Sequence, residues 1–303
     1  MNAFRDKLTA IGAMLLGAAC TSSAHGQVVT QIDDVVMYAI DGDTMQLLRY
    51  NFGTDEFTSV GTVIDQHGHV LNDFESLAFI PTGPDKGYYS TRNSNLHKKI
   101  LIKLNPLTAA ATVSTGPQIA YIRGMVAFQQ TPGNWKIYAA SSSTPPSLVV
   151  INPVTGSAES WVPIADSSGD EVVMEGLALN SDGDMYGISH NGSTISELWT
   201  IDPATGVASS IGQDNWARIE SLEFAFGDNT PDIGGLPAAV ATWDFSKGVL
   251  IGFSDNSDTL LVINPATGEG VALENSFTTL DAEGLTFTTA DRDAYLAIRN
   301  GFD

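Results

Sequence analysis

The stretch LWTIDPATG, Leu198 to Gly206, decides the fold, because it recurs. LLVINPATG runs from Leu260 to Gly268 and LVVINPVTG from Leu148 to Gly156. LIKLNPLTA, Leu101 to Ala109, is a weaker copy, and LLRYNFGTD, Leu47 to Asp55, a degenerate one. Four largely apolar residues predict a strand. Asn or Asp then opens a turn, and proline presets φ for its next position. Glycine supplies a left-handed residue that closes the hairpin. A second short strand follows, as in Val207–Ile211 or Val271–Leu273. Each copy therefore predicts one β-hairpin.

Upstream of the copies a second phrase recurs: FESLAF (Phe74–Phe79), IRGMVAF (Ile122–Phe128), MEGLAL (Met174–Leu179), IESLEF (Ile219–Phe224) and AEGLTF (Ala282–Phe287). Each reads as a strand, followed after a turn by another containing an aromatic or apolar run: Gly87–Ser90, Lys136–Ala140, Met185–Ser189, Val249–Phe253 and Ala294–Ile298. Four strands per unit result. The units begin at Glu75, Arg123, Glu175, Glu220 and Glu283, in steps of 48, 52, 45 and 63 residues. Four strands at roughly 40–50 residues is the period of a β-propeller blade. The last step is long because Asp228–Lys247 is inserted. At the ends, Val35–Ile40, Leu47–Asn51 and Phe57–Thr62 read as later strands, while Glu283–Asn300 supplies the first two. The two halves complete one blade and remove exposed sheet edges. The prediction is an all-β propeller of about five four-stranded blades over residues 27–303. One strand is surplus at the closure, so six blades is the alternative count.

The LxxI(D/N)PxTG phrase resembles the repeat of secreted bacterial β-propeller proteins, and the likeness covers most of the chain after residue 26. It implies the architecture and says little about activity, since a fold does not dictate a function.

Residues 1–26 read as a secretory signal. Arg5 and Lys7 precede an apolar run from Leu8 to Ala19, and Ala24-His25-Gly26 offers small residues for cleavage before Gln27. The run is too short for a transmembrane helix. The expected location is therefore secreted or periplasmic. Cys20 is the only cysteine; Leu16 to Cys20 resembles a lipobox with its leucine one place too far back, so a lipid anchor at Cys20 is the alternative. Cleavage at Gln27 leaves no disulfide and no thiol chemistry. From Gln27 onward 12 basic residues face 34 acidic ones. Such a surface repels phosphate backbones and anionic lipids, which argues against nucleic acid and membrane surfaces as partners. No Gly-x-Ser-x-Gly elbow, His-Glu-x-x-His, phosphate-binding loop or dinucleotide fingerprint occurs.

The first strand of a blade lines the channel, so the residues opening that strand meet at one mouth. They are Glu75, Arg123, Glu175, Glu220 and Glu283. Such carboxylates repel one another unless a cation or the arginine offsets them. Ca²⁺ prefers several oxygens, and the four glutamates are its candidate ligands; the alternative is a structural ring paired with Arg123. The loops between second and third strands emerge at the same face and carry Arg92, Asn93 and His97, His190 and Asn191, and Asp255, Asn256 and Asp258. These are candidate ligand-binding residues, or plain turn residues. His67-Gly68-His69, Asp182-Gly183-Asp184 and Asp41-Gly42-Asp43 read as turns rather than metal loops, lacking a full ligand set. Trp135, Trp161, Trp199 and Trp243 read as packing between blades rather than sugar platforms.

The triplets Glu175-Gly176-Leu177 and Glu283-Gly284-Leu285 resemble motifs of two calcium-dependent families, the β-propeller phytases and the gluconolactonase-like propellers. The resemblance implies a glutamate–calcium contact and hydrolysis. The basic residues that phytases place around phosphates are scarce here. The leading expectation is a non-catalytic propeller that binds a ligand or protein partner at the channel mouth. A calcium-dependent hydrolase and a surface or matrix scaffold are the alternatives.

Overall fold

The structure is a computed structural model that describes residues 35–41, 44–51, 56–72, 74–80, 83–95, 98–116, 119–190, 195–225, 238–276 and 282–289. Three strands open the chain: β1 (Val35–Asp41), β2 (Gln46–Asn51) and β3 (Glu56–Thr62). The second blade holds β4 (Phe74–Ile80), β5 (Gly87–Asn95), β6 (Lys98–Leu104) and β7 (Ala111–Val113), with a short β8 (Ile119–Ala120) beside β6. The third holds β9 (Ile122–Thr131), β10 (Asn134–Ser141), β11 (Ser147–Ile151) and β12 (Ala158–Pro163). A two-residue β13 (Ala165–Asp166) then pairs in parallel with the outer strand of the fourth blade. That blade holds β14 (Gly176–Leu179), β15 (Met185–His190), β16 (Ser196–Ile201) and β17 (Val207–Gln213). The fifth holds β18 (Ile219–Ala225), β19 (Val249–Ser254), β20 (Thr259–Ile263) and β21 (Gly270–Ser276).

The last described strand, β22 (Ala282–Thr289), pairs antiparallel with β1, Met37 lying opposite Phe287. The first blade is thus β22-β1-β2-β3, one strand from the C-terminal end and three from the N-terminal end. This corrects the alternative count of six. β1 takes the second place in its blade. The predicted strand Ala294–Ile298 lies outside the described residues, as do residues 1–34 with the predicted signal segment.

The inner strands β22, β4, β9, β14 and β18 each contact the next around a closed ring. Five apolar clusters fill the five gaps between neighbouring blades. Met37 and Tyr50 of the first blade meet Phe253 and Val262 of the fifth, for example, while Ala178 and Ile188 of the fourth meet Leu222 and Leu261. Both faces of each sheet are covered, which is why the strands read as nearly continuous apolar runs. Trp135 is buried, Trp199 donates its indole N–H to Ser189 Oγ at 2.9 Å, and Trp243 packs against the first-to-fifth cluster. Trp161 is instead exposed on β12.

Each residue of the hairpin phrase has a local task. In the third blade Asn152 Oδ1 accepts the N–H groups of Val154 and Thr155, and Thr155 Oγ1 accepts that of Ser157. Asp202 and Thr205, and Asn264 and Thr267, repeat the arrangement. Gly156, Gly206 and Gly268 have φ of 71°, 75° and 78°, which L side chains avoid. The glycine turns also dock the blades. Gly268 lies against the backbone of Gly212, and Gly206 against Pro163, in the preceding blade. Asp182-Gly183-Asp184 is a turn as expected: Asn180 Oδ1 accepts both aspartate N–H groups at 2.9 Å, and Lys247 pairs with both carboxylates. Around His67-Gly68-His69, Asp65 accepts the two histidine N–H groups, which holds its carboxyl down at about 2. Asp41 Oδ1 likewise accepts Thr44 N–H.

Candidate functional site

The second residue layer at the axis explains the Glu-Gly-Leu triplets. It comprises Ser76, Gly124, Gly176, Ser221 and Gly284, one from each inner strand. A Cβ on Gly124 would stand 2.7 Å from Gly176 Cα, and one on Gly176 would stand 2.9 Å from Leu222 N. At Gly124, Gly176 and Gly284 the inner strands converge so closely that an added Cβ meets backbone, while the other two places hold the small side chain of serine. The triplet glycine is an architectural requirement. Below it Leu77, Met125, Leu177, Leu222 and Leu285 form an apolar layer. These layers line a throat of about 10 Å³ at the axis, room for one water-sized group.

Above that layer stand the predicted rim residues. Arg123 Nη1 lies 3.5 Å from Glu75 Oε2, and its Nε lies 3.5 Å from Glu175 Oε2. Glu175 Oε1 lies 3.6 Å from His190 Nε2, which lies 3.9 Å from Glu220 Oε1. Arg218 Nη2 donates to Glu220 Oε1 at 2.8 Å and pairs with Asp255 Oδ2 at 3.0 Å. Acid and base thus alternate as Glu75–Arg123–Glu175–His190–Glu220–Arg218–Asp255, an arch crossing the second to fifth blades. Glu175 is buried, and Glu75, His190, Glu220 and Asp255 are half-buried. Burial raises the Glu220 carboxyl above its ordinary value; the Arg218 hydrogen bond pulls it back in part, and Asp255 adds to the rise. Among the described side chains of the arch, four carboxylates face two guanidiniums and one imidazole, so acid outnumbers base there.

Of the residues predicted from sequence, Glu75, Arg123, Glu175, Glu220, His190 and Asp255 come together. Asn256 is exposed, on the short 3-10 turn after β19, and makes no contact within the arch. Glu283 occupies the matching place on β22, and Arg92 and Asn93 lie near the end of β5, but their side chains, like Asn191 and His97 entirely, lie outside the described residues. Among the described residues no group of three or more His, Cys, Asp or Glu side chains converges to hold a metal ion. Arg123 stands between Glu75 and Glu175, and His190 between Glu175 and Glu220.

Arg218 was missed. It precedes its ring residue by two positions in a left-handed conformation, φ 48°. Tyr121, two before Arg123, has φ 56°. The carbonyl of Tyr121 accepts Ser142 N–H, and that of Arg218 accepts Asp255 N–H, so the same turn ties the inner strand to the top of the second strand in both blades. No repeat signal marked Arg218, since the residues at that offset in the other units are Asp73, Tyr121, Val173 and Asp281.

No protein-family model matches the chain, and no curated protein matches it. Many solved structures are similar in chain path. A nidogen–laminin complex shares 13% identity over 86% of this chain and 82% of that one, with a TM-score of 0.47. A putative 6-phosphogluconolactonase from Bacteroides fragilis shares 11% over 86% and 100%, at 0.43. A PQQ-bound aldose sugar dehydrogenase from Streptomyces coelicolor shares 14% over 83% and 86%, at 0.46. None of these likenesses bears on the activity of this chain. Among the described residues no helix is long and apolar enough to cross a membrane.

Proposed function

We propose that this is an exported, non-catalytic propeller, of the kind that carries the LxxI(D/N)PxTG repeat, which binds a ligand or protein partner at the Glu-rimmed mouth. The arch of alternating charges carries this reading. Glu175 has one oxygen near Arg123 and the other near His190, and Glu220 shares its Oε1 between Arg218 and His190. Carboxylates engaged in this way present a fixed polar surface, suited to recognition, rather than a free general base or an open metal sphere. The test is a fragment screen by ligand-observed NMR on the wild type and on Glu175→Gln. Bound fragments that lose affinity in the variant support the reading. Affinities indifferent to Glu175→Gln overturn it, and so does Glu175-dependent hydrolysis of lactones or phosphate esters in millimolar calcium, which would favour a calcium-dependent hydrolase instead.

A further inference from the structure

The throat under the arch has a wall polar enough to hold a head group. Ser76 is 3% exposed, lines the throat, and its Oγ has no hydrogen-bond partner. A buried hydroxyl left unmatched costs free energy, and an incoming donor recovers it. Glu220 lines the same space and is the only charged residue there among the described residues. Its raised carboxyl is what burial with incomplete compensation produces. The space admits one group the size of a water. Among the described residues the surrounding arch has more carboxylates than basic groups. A lone water would satisfy Ser76 and leave the charge excess untouched.

These demands select a ligand chemistry. The group must be cationic, must donate hydrogen bonds in several directions, and must be no larger than a water molecule. A guanidinium is a wide planar fork and a quaternary ammonium has no donor, whereas a primary ammonium is compact with three donors. A divalent metal would need several converging oxygens, and among the described residues no such group of side chains is present. Resting on the mouth as the binding surface, we infer that the throat receives the head of a primary ammonium on an unbranched chain, whether a lysine side chain or a simple alkylamine. The ammonium donates to Glu220 and to Ser76 Oγ, and its chain leaves past the arch toward solvent.

The experiment is calorimetric titration of the full chain with n-pentylamine, Nα-acetyl-lysine N-methylamide, pentylguanidinium, pentyltrimethylammonium and calcium chloride. Saturable binding of either primary amine, with no binding of the trimethylated or guanidinium compounds, is expected. Preference for the lysine derivative identifies a protein partner, and equal or better binding of pentylamine a small amine. Ser76→Ala removes one hydrogen bond and weakens the amine about fivefold, and Glu220→Gln removes a charged one and weakens it more than tenfold. Melting curves establish that each variant is folded; the comparison between probes on the wild type needs no variant. The inference is overturned if the trimethylated amine binds as well as its parent, if calcium binds in place of the amines, or if no primary amine binds at 10 mM or so, far weaker than any useful recognition. Fragments that lose affinity in Glu175→Gln would leave the mouth as a binding site even then, so the two readings fail separately.

Discussion

Asp214 offers the sharpest test of how this fold tolerates its own acidity. It follows β17 at the junction of the fourth and fifth blades and is 1% exposed. Its N–H donates to the Ser196 carbonyl, its Oδ1 accepts Trp216 N–H at 3.1 Å, and its Oδ2 has no partner. Burial lifts its carboxyl from 3.8 to about 6, with Glu269 adding repulsion, while backbone N–H groups of Trp216, Gly270 and Asn215 oppose the rise. The folded protein therefore holds a proton that the unfolded chain has lost between pH 4 and 6. Stability from this group is complete below pH 4 and disappears as pH climbs through 6. A gap of about 2 in pKa is worth about 3 kcal/mol. Asp214→Asn abolishes the titration while keeping an oxygen for Trp216 N–H. Its amide hydrogens lack an acceptor, a fixed cost of about 1–3 kcal/mol at every pH. Urea unfolding of both proteins at pH 4, 5, 6 and 7.5 separates the two effects. The variant's stability relative to the wild type must climb by about 3 kcal/mol across that range. Parallel curves would show that Asp214 does not change its affinity for a proton on folding, and would refute its burial as a carboxylate.

Three further outcomes follow from the same geometry. Gly176→Ala places a Cβ 2.9 Å from Leu222 N and 3.1 Å from Ile188 Cγ2 at the crowded axis; a loss of about 1–3 kcal/mol in urea unfolding is expected, and an unchanged midpoint would refute the backbone-to-backbone packing. Ending the chain at Asp281 removes β22, exposes the edge of β1 and opens the ring; loss of the single cooperative melt is expected, whereas an unaltered melt would show that the first blade does not need its closing strand. Intact-mass measurement of the exported protein should find Gln27 at the N-terminus, and a lipid-modified Cys20 would overturn simple cleavage.

The blades were legible because their information is local. In LVVINPVTG the apolar residues pair with β10 and β12, Asn152 and Thr155 cap the turn, and Gly156 takes the left-handed conformation, all within a dozen residues. What lay beyond reach was the allotment of strands where the ends meet. Val35–Ile40 carries no mark of being the second strand of its blade. Only pairing with β22, nearly the whole chain away in sequence, makes it so. Gly176 shows a subtler limit. As part of a triplet it looks like a metal motif, and its actual cause is the distance between inner strands, which no single repeat contains.

The rim was legible for a different reason. Once the repeat is indexed, residues at equal offsets must share a height on the channel, so Glu75, Glu175 and Glu220 could be placed together from opposite ends of the chain. The offset gives height but not sign of contact. It could not say whether acid would face acid across an ion or acid would face base around the circle. Among the described residues acid and base alternate, since Arg123 reaches both Glu75 and Glu175, and His190 reaches both Glu175 and Glu220. That arrangement disperses the repulsion, and it leaves Glu220 lining the same throat as the unmatched hydroxyl of Ser76. A ring neutralised evenly would have no preferred point of attachment. Among the described side chains this one sets four carboxylates against three basic groups, and the unmatched Ser76 hydroxyl marks the throat as the point where an added donor gains most.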